Sequence, residues 1–176
     1  LRDEVIAFVT SRSRLQREAG PALGMLTRNY RHSPLCLEDW PSSASTGGPS
    51  AGDRAPDARQ LLRRPVHTLL LFTNQDLLQL ADETSERYSS LIEPVLIVQA
   101  KRVPEGLSGI RHRVILDADG ALHRRYGAKP ESLYLLRPDG YIGYRSQPAD
   151  RYKLAAYLQR IFWTAQTREE QAHERC

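Results

Sequence analysis

The chain has 176 residues, 40% of them hydrophobic, and a formal net charge of +4. That length bounds it to one domain, or one domain with an appendage, and is enough to bury a core. No apolar run reaches the length of a membrane span, and the basic residues, arginine everywhere except Lys101, Lys129 and Lys153, are interspersed with acids rather than clustered with aromatics, which argues against a membrane or nucleic-acid partner.

Cys36 and Cys176 are the only cysteines. Two distant thiols make neither a disulfide framework nor a Cys-x-x-Cys pair, and this usage fits a reducing, cytoplasmic setting. No signal-peptide pattern is read at the start. Because the chain opens on Leu1 rather than Met, it is expected to be part of something longer.

Val5, Ile6, Val9, Leu15 and Ala19 form a loose apolar stripe that predicts a helix over residues 3–19, broken by Gly20-Pro21. Asn29-Tyr30-Arg31-His32-Ser33-Pro34-Leu35 reads as extended. Residues 41–52, rich in Ser, Gly and Pro, read as a linker. This places a boundary between a helical segment, 1–40, and a compact domain, 53–176. Gly47-Gly48 neither follows an apolar strand nor opens a helix, so it is not a phosphate loop.

In the compact part, Leu61 and Leu62 suggest a short strand, and residues 68–72 a buried one. Thr73-Asn74-Gln75-Asp76 has capping-box spacing. The helix it opens carries Leu77, Leu80, Ala81, Thr84, Tyr88 and Leu91 on one face and should end at Pro94. Residues 95–98 and 113–116 read as strands, and 122–126 as a short helix closed by Gly127. Residues 133–136 and 141–145 form apolar runs about Pro138-Asp139-Gly140, a turn in which Pro presets φ and Gly accepts positive φ. They predict an antiparallel hairpin. Leu154, Tyr157, Leu158, Ile161, Phe162 and Ala165 recur at helical spacing within an amphipathic helix over 150–166.

A parallel strand–helix–strand unit, then a hairpin and a covering helix, is the thioredoxin-like plan. The fold class is therefore α/β, thioredoxin-like, with an N-terminal helical extension. Such enzymes carry their thiolate where the first strand meets its helix, since the helix N-terminus lowers the thiol pKa. That junction, Phe72-Thr73-Asn74-Gln75-Asp76, holds no Cys, and no other side chain replaces a thiolate in disulfide exchange. The five histidines show no metal-pair spacing. Asp117 and Asp119 lack the rest of a calcium loop. Pro130 stands where such folds often carry a cis-Pro, and either isomer stays open.

Three stretches together resemble one family. Residues 29–35, then Gly52-Asp53-Arg54-Ala55-Pro56-Asp57, then Leu135-Leu136-Arg137-Pro138-Asp139-Gly140-Tyr141-Ile142-Gly143-Tyr144-Arg145 are similar to the C-terminal end of FAD-dependent aromatic-ring monooxygenases, the phenol-hydroxylase-like enzymes and aromatic polyketide hydroxylases. Tyr144 departs from the pattern, where many relatives carry Trp. The resemblance implies a thioredoxin-like tail domain that has lost its cysteines. It implies FAD and NAD(P)H for the parent enzyme, but the Gly-x-Gly-x-x-Gly turn is absent, so no catalytic, cofactor-binding or metal residue is assigned in this chain. Gly52, Arg54, Pro56, Pro130, Arg137, Pro138, Asp139 and Gly140 are expected to be structural. Residues 1–40 would be the end of the region joining the catalytic FAD-binding domain, the expected partner. Without that partner their apolar surface is expected to self-associate, most simply as a two-fold dimer. The alternatives are a stand-alone thioredoxin-like binding module or a redox protein; the thiol-free junction weighs against the latter.

Overall fold

The computed structural model describes residues 29–41, 47–73 and 77–173, with the side chains of 163–173 left aside. The helix read over 3–19 and the tail after His173 lie outside these residues. In chain order the elements are β1 (Leu37–Asp39), α1 (Ala58–Leu61), β2 (His67–Phe72), α2 (Leu78–Arg87), β3 (Ile92–Val98), a 3-10 turn (Glu105–Leu107), β4 (Arg113–Leu116), α3 (Ala121–Tyr126), β5 (Ser132–Leu136), β6 (Ile142–Ser146) and α4 (Arg151–His173).

The strands form one six-stranded sheet in the order β1-β6-β5-β2-β3-β4. β2, β3 and β4 are mutually parallel, β5 is antiparallel to β2, and β6 is antiparallel to β5. The parallel β2-α2-β3 crossover, the β5-β6 hairpin and the closing α4 reproduce the expected α/β, thioredoxin-like arrangement.

The central strands are apolar on both faces, as strands covered on both sides must be. Leu69 and Leu71 of β2, Leu96 and Val98 of β3, and Leu133 and Leu135 of β5 meet Leu77 and Ala81 at α2 and Leu154, Tyr157 and Leu158 of α4. The alternate residues Leu70, Phe72, Val95, Ile97, Tyr134 and Leu136 face Ala58 and Leu61 of α1, Tyr126 of α3, and Ala51 and Ala55. The period of two sorts the strands into two cores, each under a pair of helices.

Several boundaries differ from the sequence reading. Leu61 ends a short helix rather than starting a strand: Asp57 adopts φ 52°, and Leu61 N–H then bonds the Asp57 carbonyl. α2 stops at Arg87, and Pro94 lies within β3, paired with Leu69. The ladder shows how β3 tolerates it. Thr73 N–H bonds the Ile97 carbonyl on the β2 side, and Asp117 N–H bonds the Val98 carbonyl at β4. By alternation, the Pro94 nitrogen faces β4, which pairs with β3 only from Val95 onward. The missing N–H falls on an open edge, where Pro is permitted. At Pro130 no cis bond forms; the one cis bond among the described residues is Gln147–Pro148. The chain turns into β5 through Glu131, at φ 64°.

The largest departure is at the start. The sequence predicts a helical segment over 1–40 and a linker over 41–52, and of these only residues 29–41 and 47–52 are described. Yet Leu37–Asp39 is a strand, parallel to β6, that completes the sheet. Residues 48–52 pack onto the domain: Ala51 is buried, and a Cβ on Gly48 would stand 1.9 Å from the Tyr126 carbonyl oxygen at the end of α3. Residues 29–41 and 47–55 together form a strap along the β6 edge. No helix among the described residues is long and apolar enough to cross a membrane.

Candidate functional site: the strap–hairpin junction

The hairpin turn is built locally. Gly140 N–H bonds the Arg137 carbonyl at 2.9 Å, Arg137 N–H bonds the Tyr141 carbonyl at 2.8 Å, and Gly140 sits at φ 85°. The Arg137 guanidinium pairs with the Asp139 carboxylate, whose Oδ1 also accepts Tyr141 N–H.

The strap docks on this turn through its backbone. Gly52 donates to the Ile142 carbonyl at 2.7 Å, and its own carbonyl accepts Tyr30 N–H at 2.7 Å. Ile142 N–H reaches the Asp53 carbonyl at 2.9 Å, Arg54 forms an antiparallel bridge with Tyr141, and Ala55 N–H bonds the Gly140 carbonyl at 2.9 Å. Gly52 has φ 90°, and a Cβ there would lie 2.3 Å from the Arg31 nitrogen, so only glycine fits.

Side chains lock the junction. Arg31 binds Asp53 through two contacts of 2.7 Å, one to each carboxylate oxygen. Burial raises the Asp53 carboxyl's pKa, but the Arg31 and Ser50 hydrogen bonds outweigh it and hold the group below its usual range. Tyr30 meets Tyr141 edge-on with centroids 4.8 Å apart, and Arg54 and Arg137 lie 5.8 and 5.9 Å from the Tyr141 and Tyr30 rings. Pro56 offers its carbonyl to the Tyr126 hydroxyl at 2.9 Å.

Of the residues singled out in sequence, Gly52, Arg54, Pro56, Arg137, Pro138, Asp139 and Gly140 thus lie along this one strap and turn. Pro130 does not: it precedes the far end of β5, where its carbonyl accepts the Gln147 side chain. Arg137 and Pro138 also line an open groove of about 360 Å³, with Leu35, His67, Tyr157 and Phe162.

Sequence reasoning missed Arg145 as a site. Two β6 residues, Ile142 and Gly143, are accommodated where the register slips between Leu135 and Leu136. This bulge puts Ile142 in one core and Tyr144 in the other. Arg145 turns to the Tyr134 face, only 8% exposed. Its Nε donates to Glu38, Nη1 to the Pro49 carbonyl at 2.7 Å and Nη2 to the Ser50 hydroxyl at 3.3 Å, and the guanidinium lies 4.6 Å from the Trp40 ring. A strand pattern read at a strict period of two gives no signal for this.

At the strand–helix junction, Thr73 is buried and its hydroxyl accepts Leu77 N–H at 3.2 Å. Residues 74–76 and the expected capping acid lie outside the described residues. Cys36 belongs to the strap. Its thiol faces the Ile142 carbonyl at 3.8 Å, and burial pushes its pKa up, opposite to an activated thiol. His123 Nδ1 lies 2.6 Å from Asp117, whose carboxylate also takes the Leu122 and His123 amides, so this pair anchors α3. Among the described residues no three His, Cys, Asp or Glu side chains gather as metal ligands. The arrangement positions a chain segment along the β6 edge and the hairpin turn.

No protein-family model matches the chain. No curated protein matches it. Among solved structures, a ternary complex of aklavinone-11 hydroxylase with FAD and aklavinone aligns with 20% identity and a TM-score of 0.46. The alignment covers 64% of this chain and 21% of that one, so the match is to about a fifth of the hydroxylase.

Proposed function

We propose that the chain is the C-terminal region of an FAD-dependent aromatic-ring monooxygenase, and that it is itself a non-catalytic structural domain. One observation carries this reading. The three stretches that resemble the family, separate in sequence, meet at one junction: Tyr30 on Gly52, Gly52 on Ile142, and Ala55 on Gly140. Arg31, Gly52, Asp53, Ala55 and Gly140 have hydrogen-bonding tasks there, and Tyr30 and Tyr141 pack edge-on. On this reading the parent uses FAD and NAD(P)H, and the upstream chain enters the domain through Asn29 and Tyr30. Its catalytic FAD-binding part is the natural partner, with self-association of residues 1–40 as the expectation when that part is missing.

The test is a flavin titration of the purified chain. FAD fluorescence should stay unquenched at micromolar protein, and no NAD(P)H oxidation should follow. Stoichiometric flavin binding would overturn the non-catalytic assignment. A stand-alone redox role has no observation in its favour, since the single described thiol is half-buried within the strap.

A further inference from the structure

We propose that residues 29–41 and 47–55 behave as one strap that opens and closes without unfolding the sheet, and that Arg145 is its latch. The strap makes two passes over the domain, and the Arg145 guanidinium holds both. On the first pass it binds the Glu38 carboxylate and lies over Trp40; on the second it binds the Pro49 carbonyl and the Ser50 hydroxyl. Glu38 ties the passes to each other, because its second oxygen accepts Ala51 N–H at 2.9 Å.

Beyond the latch, the strap is held by backbone bonds at Gly52, Asp53 and Ala55 and by polar contacts of Leu35 and Asp39, and its own contribution to the buried core is two small residues, Ala51 and Ala55, with Cys36 and Trp40 packed against it. β1 contributes three residues at the sheet edge, and Tyr30, Leu35 and Leu37 are 42%, 49% and 37% exposed. The central strands behind it are closed to solvent, with Leu69, Leu71, Leu96, Leu133 and Leu135 all at 0%. Segments with little buried apolar surface open at lower free energy than the core they lie on. Opening also returns Glu38, Arg145, Asp39 and Lys153 to water as hydrated ions, which limits its cost. The consequence rests on the function proposed above: the strap is where upstream chain joins the domain, so the latch sets whether the domain is held rigidly or swings free.

Hydrogen exchange on the full chain tests this without any parent enzyme, so its failure is separate from failure of that reading. The reporters are the Tyr30, Ala51 and Gly52 amides in the strap and the Leu70 and Leu135 amides in the sheet. In the unaltered chain the strap amides should exchange together, faster than the sheet amides, and faster still as NaCl is raised. Arg145→Met keeps the aliphatic stem and removes the charged fork. It should accelerate the strap amides roughly tenfold to a hundredfold, the range for losing charged hydrogen bonds, and leave the sheet amides unchanged. Arg145→Lys, which keeps charge but not the fork, should fall between. Equal exchange of strap and sheet in the unaltered chain, equal acceleration of both in Arg145→Met, no acceleration at all, or global unfolding of Arg145→Met would each overturn the proposal.

Discussion

The Gly52 amide donates to the Ile142 carbonyl at 2.7 Å, at a position where the backbone is left-handed and no Cβ can be placed. Gly52→Ala should therefore cost more than the roughly 1–3 kcal/mol of a strained backbone alone, because the Arg31 backbone must also move. Gly109 is the control, with φ 77° and open space around it. Urea denaturation of both alanine variants should show Gly52→Ala clearly the weaker; equal losses would mean that the close approach at Gly52 is not a constraint.

Acid should destabilise the fold in two stages. Burial, then the nearby Arg137 charge, holds the His67 pKa below its ordinary value. A depressed folded pKa gives stability that is present above the unfolded value, about 6.5, and lost as pH falls below it. Asp39, Asp53 and Asp117 are also held low: in each, burial pushes upward and is outweighed by hydrogen bonds from Lys153, Arg31 and His123 in turn. Their contribution is present above about pH 4 and is lost below it. Urea midpoints from pH 8 to pH 3 should fall first below about 6.5 and again below about 4. His67→Gln should remove the first decline only.

Asp117 closes the start of α3 with its carboxylate, accepting two amides and His123. Asp117→Ala leaves those donors without a partner and should cost about 1–3 kcal/mol. Asp117→Asn, which keeps an acceptor oxygen, should cost less. If the two variants are equally stable by thermal melting, the carboxylate is not the anchor of this helix.

Four tyrosine hydroxyls should resist alkali. Burial pushes Tyr134, Tyr144 and Tyr157 up to about 12, and pushes Tyr126 well above its ordinary range. A spectrophotometric titration to pH 11 should leave these four un-ionised while the fold persists. Full ionisation of all eight tyrosines of the chain below pH 11, with the fold intact, would contradict the buried placement.

The Cys36 thiol should react slowly with a disulfide reagent at pH 7, and faster once urea is added. It is half-buried on the strap, and burial raises its pKa. Rapid native-state reaction of the Cys36→Ser-sensitive thiol, or turnover of insulin disulfides, would overturn this.

The legible parts of the fold were those where burial dictates composition. β2, β3 and β5 are closed on both faces and so read as continuous apolar runs, and Leu154, Tyr157 and Leu158 mark the buried stripe of α4. The illegible parts were those held by polar contacts over long sequence separation. Leu37-Glu38-Asp39 has no apolar alternation; it is a strand because Arg145, Ser146 and Lys153 meet its two acids. Arg145 was hidden by the bulge that resets the face of β6. The strap–hairpin motifs were visible as a resemblance, but their meeting at one junction follows only from the chain's return along the β6 edge.

The measurement that tests the central claim most directly is the coding sequence immediately upstream of the Leu1 codon. The account predicts an open frame continuing upstream into a strand–turn–helix unit with a Gly-x-Gly-x-x-Gly turn, the phosphate-binding start of an FAD domain. A translation start at or just before Leu1, with no such domain in frame, would contradict it.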